Sequence, residues 1–112
     1  MKQRRDDPAR LLGRLPDLRL LLRGSLVTRY RRCGRSNCHC AGRTSRGHGP
    51  SYYLMVTVGP GKTEAIYVRN EMRALVEEWI RNYRRVREIL EAVSALNRRR
   101  LRDGDLPQGA SR

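Results

Sequence analysis

Residues 52–68 read Y-Y-L-M-V-T-V-G-P-G-K-T-E-A-I-Y-V. Tyr52–Val58 and Thr63–Val68 are rich in β-branched and aromatic residues, and Gly59-Pro60-Gly61-Lys62 between them has turn composition. The stretch predicts a β-hairpin with Leu54, Val56 and Val58 on one face, joined across the turn by Ile66 and Val68. The Gly-Pro-Gly-Lys-Thr run is not a phosphate-binding P-loop. That pattern needs a glycine five residues before Gly61, where Val56 stands, and it must lead into a helix.

Upstream, Leu26–Arg32 alternates in the same way and predicts a further strand, which completes a three-stranded antiparallel sheet. A short helix is expected over Asp17–Leu22, ended by Gly24. Downstream, Asn70 is a good N-cap and nothing breaks a helix from Glu71 to about Arg102. Met72, Val76, Trp79, Tyr83, Val86, Leu90, Val93 and Asn97 recur at alternating spacings of four and three, a heptad seam. Such a helix is about 48 Å long. The sheet covers only its first half, so the second half needs the 17–23 segment or the same helix of a second chain. Val86, Leu90, Val93 and Asn97 are the expected oligomerisation residues of a homodimer.

The expected fold class is α+β: a three-stranded antiparallel sheet with a Cys-rich knuckle loop, packed on a long C-terminal helix. Residues 1–16 read as a flexible basic tail, 17–102 as a single domain and 103–112 as a second flexible tail.

The segment from Cys33 to Pro50 has almost no apolar residues and cannot build a hydrophobic core. It holds Cys33, Cys38, Cys40 and His48, three thiols and an imidazole, the donor set of a tetrahedral zinc site. One zinc per chain is the expected cofactor. His39 is the rival fourth ligand, but between Cys38 and Cys40 it would strain to reach the same metal. Free thiols are the alternative, and Arg-lowered thiol pKa values would then suit a thiol-based redox sensor.

The 112 residues carry a formal charge of +14, and 23 of the 25 basic residues are Arg. From Leu18 to Thr63 there is no Asp or Glu. Arg forks onto phosphate and guanine, and such a patch attracts polyanions. Arg29, Arg31, Arg32, Arg35, Arg43, Arg46 and Lys62 are the expected phosphate contacts, with Tyr52 and Tyr53 as stacking groups and Tyr30 and Tyr67 as further aromatics on the predicted sheet. The partner read from this is nucleic acid, DNA ahead of RNA and most plausibly duplex. An anionic membrane surface is the nearest competitor. Helix-mediated oligomerisation or an adaptor role is the alternative function. No catalytic residues, membrane span or small-molecule substrate are expected, and the chain reads as cytoplasmic.

Gly24-Ser25-Leu26, Tyr30 to Cys33, Cys33-Gly34-Arg35-Ser36-Asn37-Cys38-His39-Cys40 and His48-Gly49-Pro50-Ser51-Tyr52-Tyr53-Leu54 resemble the core of a family of small basic prokaryotic proteins. That core reads roughly GS-L…CG-[KR]-x-x-C-x-C…HGP-x-Y-Y-L, followed by a hairpin and a long helix. The resemblance spans about residues 18–102. The family is a domain of unknown function, so it implies the fold and a single site on Cys33, Cys38, Cys40 and His48, and no activity. At the level of fold alone, three strands followed by a helix are similar to the arm-type DNA-binding domain of tyrosine recombinases, which has no such Cys loop.

Overall fold

The computed structural model describes residues 7–42, 45 and 47–105. Helix α1 spans Pro8–Leu12, strand β1 Ser25–Arg31, β2 His48–Gly59, β3 Lys62–Val68 and helix α2 Arg73–Arg102. Short 3-10 turns occupy His39–Ala41 and Asn70–Met72. The sheet order is β1-β2-β3, antiparallel throughout, so the α+β architecture is as the sequence reading has it.

The chain divides into two compact units, one of Met1–Leu21 with Arg81–Arg112, the other of Leu22–Ile80. The stretch read from sequence as one domain is therefore shared between them. The second unit holds the whole sheet and the start of α2. Its core is Leu54, Val68, Val76 and Ile80, with Leu22, Leu26 and Tyr52 packed against it. Register explains this grouping: Leu26 faces Leu54, Leu54 faces Ile66, and Tyr52 faces Val68. Val58 and Ile66 share that face by alternation yet stay about half exposed, at 54% and 47%. The buried apolar contacts gather at the Leu54–Val68 end of the hairpin.

In the hairpin turn Gly59 pairs with Lys62, and Pro60 precedes Gly61 at φ 66°. The order suits a type II turn, with Pro presetting φ and Gly taking the left-handed position. Gly24 is required for a different reason. At φ 137°, a Cβ there would lie 2.7 Å from the Met55 carbonyl oxygen.

Two elements differ from the sequence reading. No helix forms over Asp17–Leu22. The Asp17 carboxylate accepts from the Arg19 backbone N–H (3.0 Å) and binds its guanidinium (2.9 Å), making a turn. Arg19 thereby holds the Asp17 carboxyl below its usual pKa. Beyond the turn, Leu22 N–H donates to the Trp79 carbonyl and Asn82 donates to the Leu20 carbonyl (3.0 Å). These bonds claim backbone groups of Leu20 and Leu22 that a helix would otherwise use. Within the N-terminal stretch read as a flexible tail, α1 forms instead. Asp7 caps it through the Ala9 N–H (3.1 Å) and Pro8 occupies the first helical position. Asn70 is also not the cap: it lies inside the 3-10 turn that leads into α2, and Arg69 precedes that turn with no side-chain cap bond.

In the first unit the buried stripe of α2 follows Val86, Ile89, Val93 and Leu96, all buried or half-buried, while Leu90 and Asn97 are exposed. A straight helix drifts off a strict seven-residue repeat. Arg85 Nε donates to the Arg14 carbonyl (3.4 Å), so the N-terminal segment lies along this part of the helix. No described helix is long and apolar enough to cross a membrane.

Candidate metal centre

Strand pairing builds the site. Arg31 faces His48 across β1 and β2, so the chain leaves β1 at Arg31 and returns at His48. Cys33 and His48 are thereby held at the same end of the sheet, and the loop between them carries Cys38 and Cys40. The sequence reading began the second strand at Tyr52; it begins four residues earlier, and this extension brings in the fourth ligand. Glycine at position 47 makes the return: its φ is 100°, and a Cβ there would lie 2.6 Å from the Arg31 carbonyl oxygen.

The side-chain donor atoms of Cys33, Cys38, Cys40 and His48 all lie within 4.8 Å of one another. Cys33 Sγ is 3.5 Å from Cys40 Sγ, and Cys38 Sγ is 3.2 Å from His48 Nε2. Ligands of a tetrahedral zinc stand roughly 3.5–3.8 Å apart, given bonds of about 2.0–2.3 Å. Three thiols and an imidazole, with no carboxylate in the loop sequence, form a soft donor set suited to a metal. His39 stays outside it: its Nδ1 is 3.9 Å from Cys38 Sγ, and its ring meets His48 edge-on at 5.3 Å.

Backbone amides tune the thiols. The Arg35 N–H bond to Cys33, together with His48, Cys40 and Cys38 beside it, lowers the Cys33 pKa to about 6. The Cys33 N–H donates to Cys40 Sγ (3.3 Å) and favours its thiolate, but burial and the neighbouring Cys33 and Cys38 thiols outweigh it and raise the Cys40 pKa. Cys40 is fully buried, whereas Cys33 and His48 are exposed. A metal ion would draw all three sulfurs to the thiolate form, since the thiolate is the ligand.

Arg32 holds this loop together. Its guanidinium donates to the carbonyls of Cys40, Gly42 (3.2 Å) and Ser45 (2.7 Å). An Arg expected at a phosphate surface thus spends its donors on loop backbone. No periodicity signals that role, because three loop carbonyls converge only once the loop is folded.

The other expected contact residues scatter. Arg31, Arg35 and Lys62 are exposed, and Arg43 and Arg46 lie outside the described residues. Tyr52 and Tyr53 point to opposite faces of β2. Tyr52 joins the core side, with the Arg73 guanidinium 4.8 Å from its ring centre. Tyr53 lies on the other face, under the Arg29 guanidinium at 4.9 Å and edge-on to Tyr67 at 5.7 Å. Tyr67, one of the sheet aromatics expected from the sequence, thus shares the face of Tyr53.

A family described as "Domain of unknown function (DUF6788)" matches residues 1–81. The match covers the sheet, the cysteine loop and the first turns of α2. No curated protein and no solved structure matches the chain significantly.

Proposed function

The chain belongs to the DUF6788 family, and we propose that it is a non-catalytic nucleic-acid-binding protein of the cytosol, DNA its first candidate partner. One zinc ion per chain, on Cys33, Cys38, Cys40 and His48, keeps its basic loop in shape. The observation that carries this reading is the convergence of four soft ligands inside a stretch, residues 18–63, that holds no carboxylate. A loop with almost no apolar residues gains its fixed shape from the metal. Arg31 and Arg35, exposed on either side of Cys33, then face outward as phosphate contacts.

The test is a salt series of DNA affinities for the zinc-loaded protein and for an Arg31→Gln/Arg35→Gln variant. Each phosphate contact removed lowers the slope of log affinity against log salt by about one. Unchanged affinity and slope in the variant sink the proposed surface.

A second reading, helix-mediated oligomerisation, has its own observation. Leu90 and Leu101 are 52% and 65% exposed and lie about three turns apart on one side of α2. We propose that this stripe pairs two chains. Native mass spectrometry reports zinc content and chain number together, and a metal-free monomer overturns both proposals.

A further inference from the structure

We propose that the sheet face opposite the helix is a stacking platform for unpaired nucleobases, built by Arg29, Tyr53 and Tyr67. The inference rests on the nucleic-acid reading and names the strand form bound.

Register fixes the platform. Val27 faces Tyr53 and Tyr53 faces Tyr67, one row across all three strands. Alternation puts that row on the side away from Leu54, whose face packs with Val76 and Ile80. Arg29, one diagonal step from Tyr53, lays its guanidinium over that ring and reaches Met55 Sδ at 3.9 Å. The cation is thus held over the sheet's aromatic surface by the Tyr53 ring and the Met55 sulfur. Tyr67, a residue 59% exposed, closes the other end of the row. A base can lie on the Arg29 plane, on the Tyr67 ring, or on both in succession.

Charge on this face fits the same occupant. Its strand residues Ser25, Val27, Arg29, Ser51, Tyr53, Met55, Thr57, Thr63, Ala65 and Tyr67 include no carboxylate, and Glu64 lies opposite Val56 on the helix side. Arg23 borders the face, where its Nη1 donates to the Thr57 carbonyl (2.8 Å) and its other donors remain for a phosphate. Aromatic rings on an exposed sheet, edged by arginines and clear of carboxylates, match the chemistry of an unpaired strand: apolar base faces on an anionic backbone. A duplex keeps its base faces stacked inside, beyond the reach of a sheet surface. Duplex binding therefore does not call on the stacking rings.

The test measures fluorescence anisotropy of labelled oligothymidylate and of a hairpin duplex with equal phosphate count, each titrated with the zinc-loaded full chain at matched salt. The wild type is expected to bind the single strand more tightly. Tyr67→Ala is expected to weaken single-strand binding about tenfold, with duplex affinity unchanged. Tyr67→Phe keeps the ring and the affinity. Tyr67→Leu keeps apolar bulk on β3 without a ring, so it separates lost stacking from a disturbed strand and is expected to behave like the Ala variant. The platform is overturned if Tyr67→Ala binds oligothymidylate like the wild type, or if the wild type binds duplex as tightly as single strand. If Arg31→Gln/Arg35→Gln weakens both polymers while no Tyr67 variant weakens either, the platform falls and the nucleic-acid reading stands. If the wild type binds neither polymer, both fall.

Discussion

The loop from Arg32 to Gly47 and the hairpin–helix core from Tyr52 to Ile80 adjoin in sequence and are held by different forces. The core is apolar: Leu54, Val68, Val76 and Ile80 exclude water from one another. Among its described residues the loop buries Cys40 fully, and it otherwise rests on Arg32's bonds to three carbonyls and on the convergence of four donor groups. The core is stable by area, whereas the loop offers donor atoms through which a metal would stabilise it. A solvent or temperature change acts on the first, whereas, on the proposed zinc reading, a chelator or an oxidant acts on the second.

The largest expected effect separates the two directly. Structural zinc sites carry apparent binding energies of about 10–16 kcal/mol, so chelating the metal should abolish amide protection across the loop. Protection at Leu54 and Ile80 should persist, as read by hydrogen exchange. Loss of protection in both regions at once breaks the contrast and makes the metal a keystone of the whole unit. Next in size, Leu54→Ala removes a side chain that is 4% exposed and should lower unfolding stability by about 2–5 kcal/mol in a denaturant titration. Zinc stoichiometry of the folded variant should stay at one per chain. The smallest effect belongs to Arg32→Ala. It strands the Cys40, Gly42 and Ser45 carbonyls and should cost the loop about 1–3 kcal/mol, read as weaker zinc affinity in a competition titration. The denaturation midpoint of the core should hardly move. Equal zinc affinity in wild type and variant would show that the ligands alone shape the loop.

Much of this was legible in the residues. The Tyr52–Val68 hairpin, the strand before the cysteines and the long helix follow from periodicity and turn chemistry, which act locally. Cys33, Cys38, Cys40 and His48 were legible as a donor set by residue type, and they do converge. The expected helix at Asp17–Leu22 failed because bonds from Arg19, Trp79 and Asn82 claim that segment, two of them from residues about sixty positions away. The seam residues Leu90 and Asn97 are exposed because a straight helix drifts off a strict seven-residue repeat, so the buried stripe passes to Ile89 and Leu96.

The contact residues divide in the same way. Sequence identified Arg and Tyr as the groups able to meet phosphates and bases, since charge and π-faces belong to the residue itself. Tertiary structure decided which of them are available: Arg32 is spent on loop carbonyls, Tyr52 lies on the core side, and Arg29, Tyr53 and Tyr67 share the opposite face. Sequence by itself determined the element types and the chemistry on offer, because backbone propensity and donor identity are local. Only the fold decided which side chains meet, because strand register and loop return are set by partners distant in the chain.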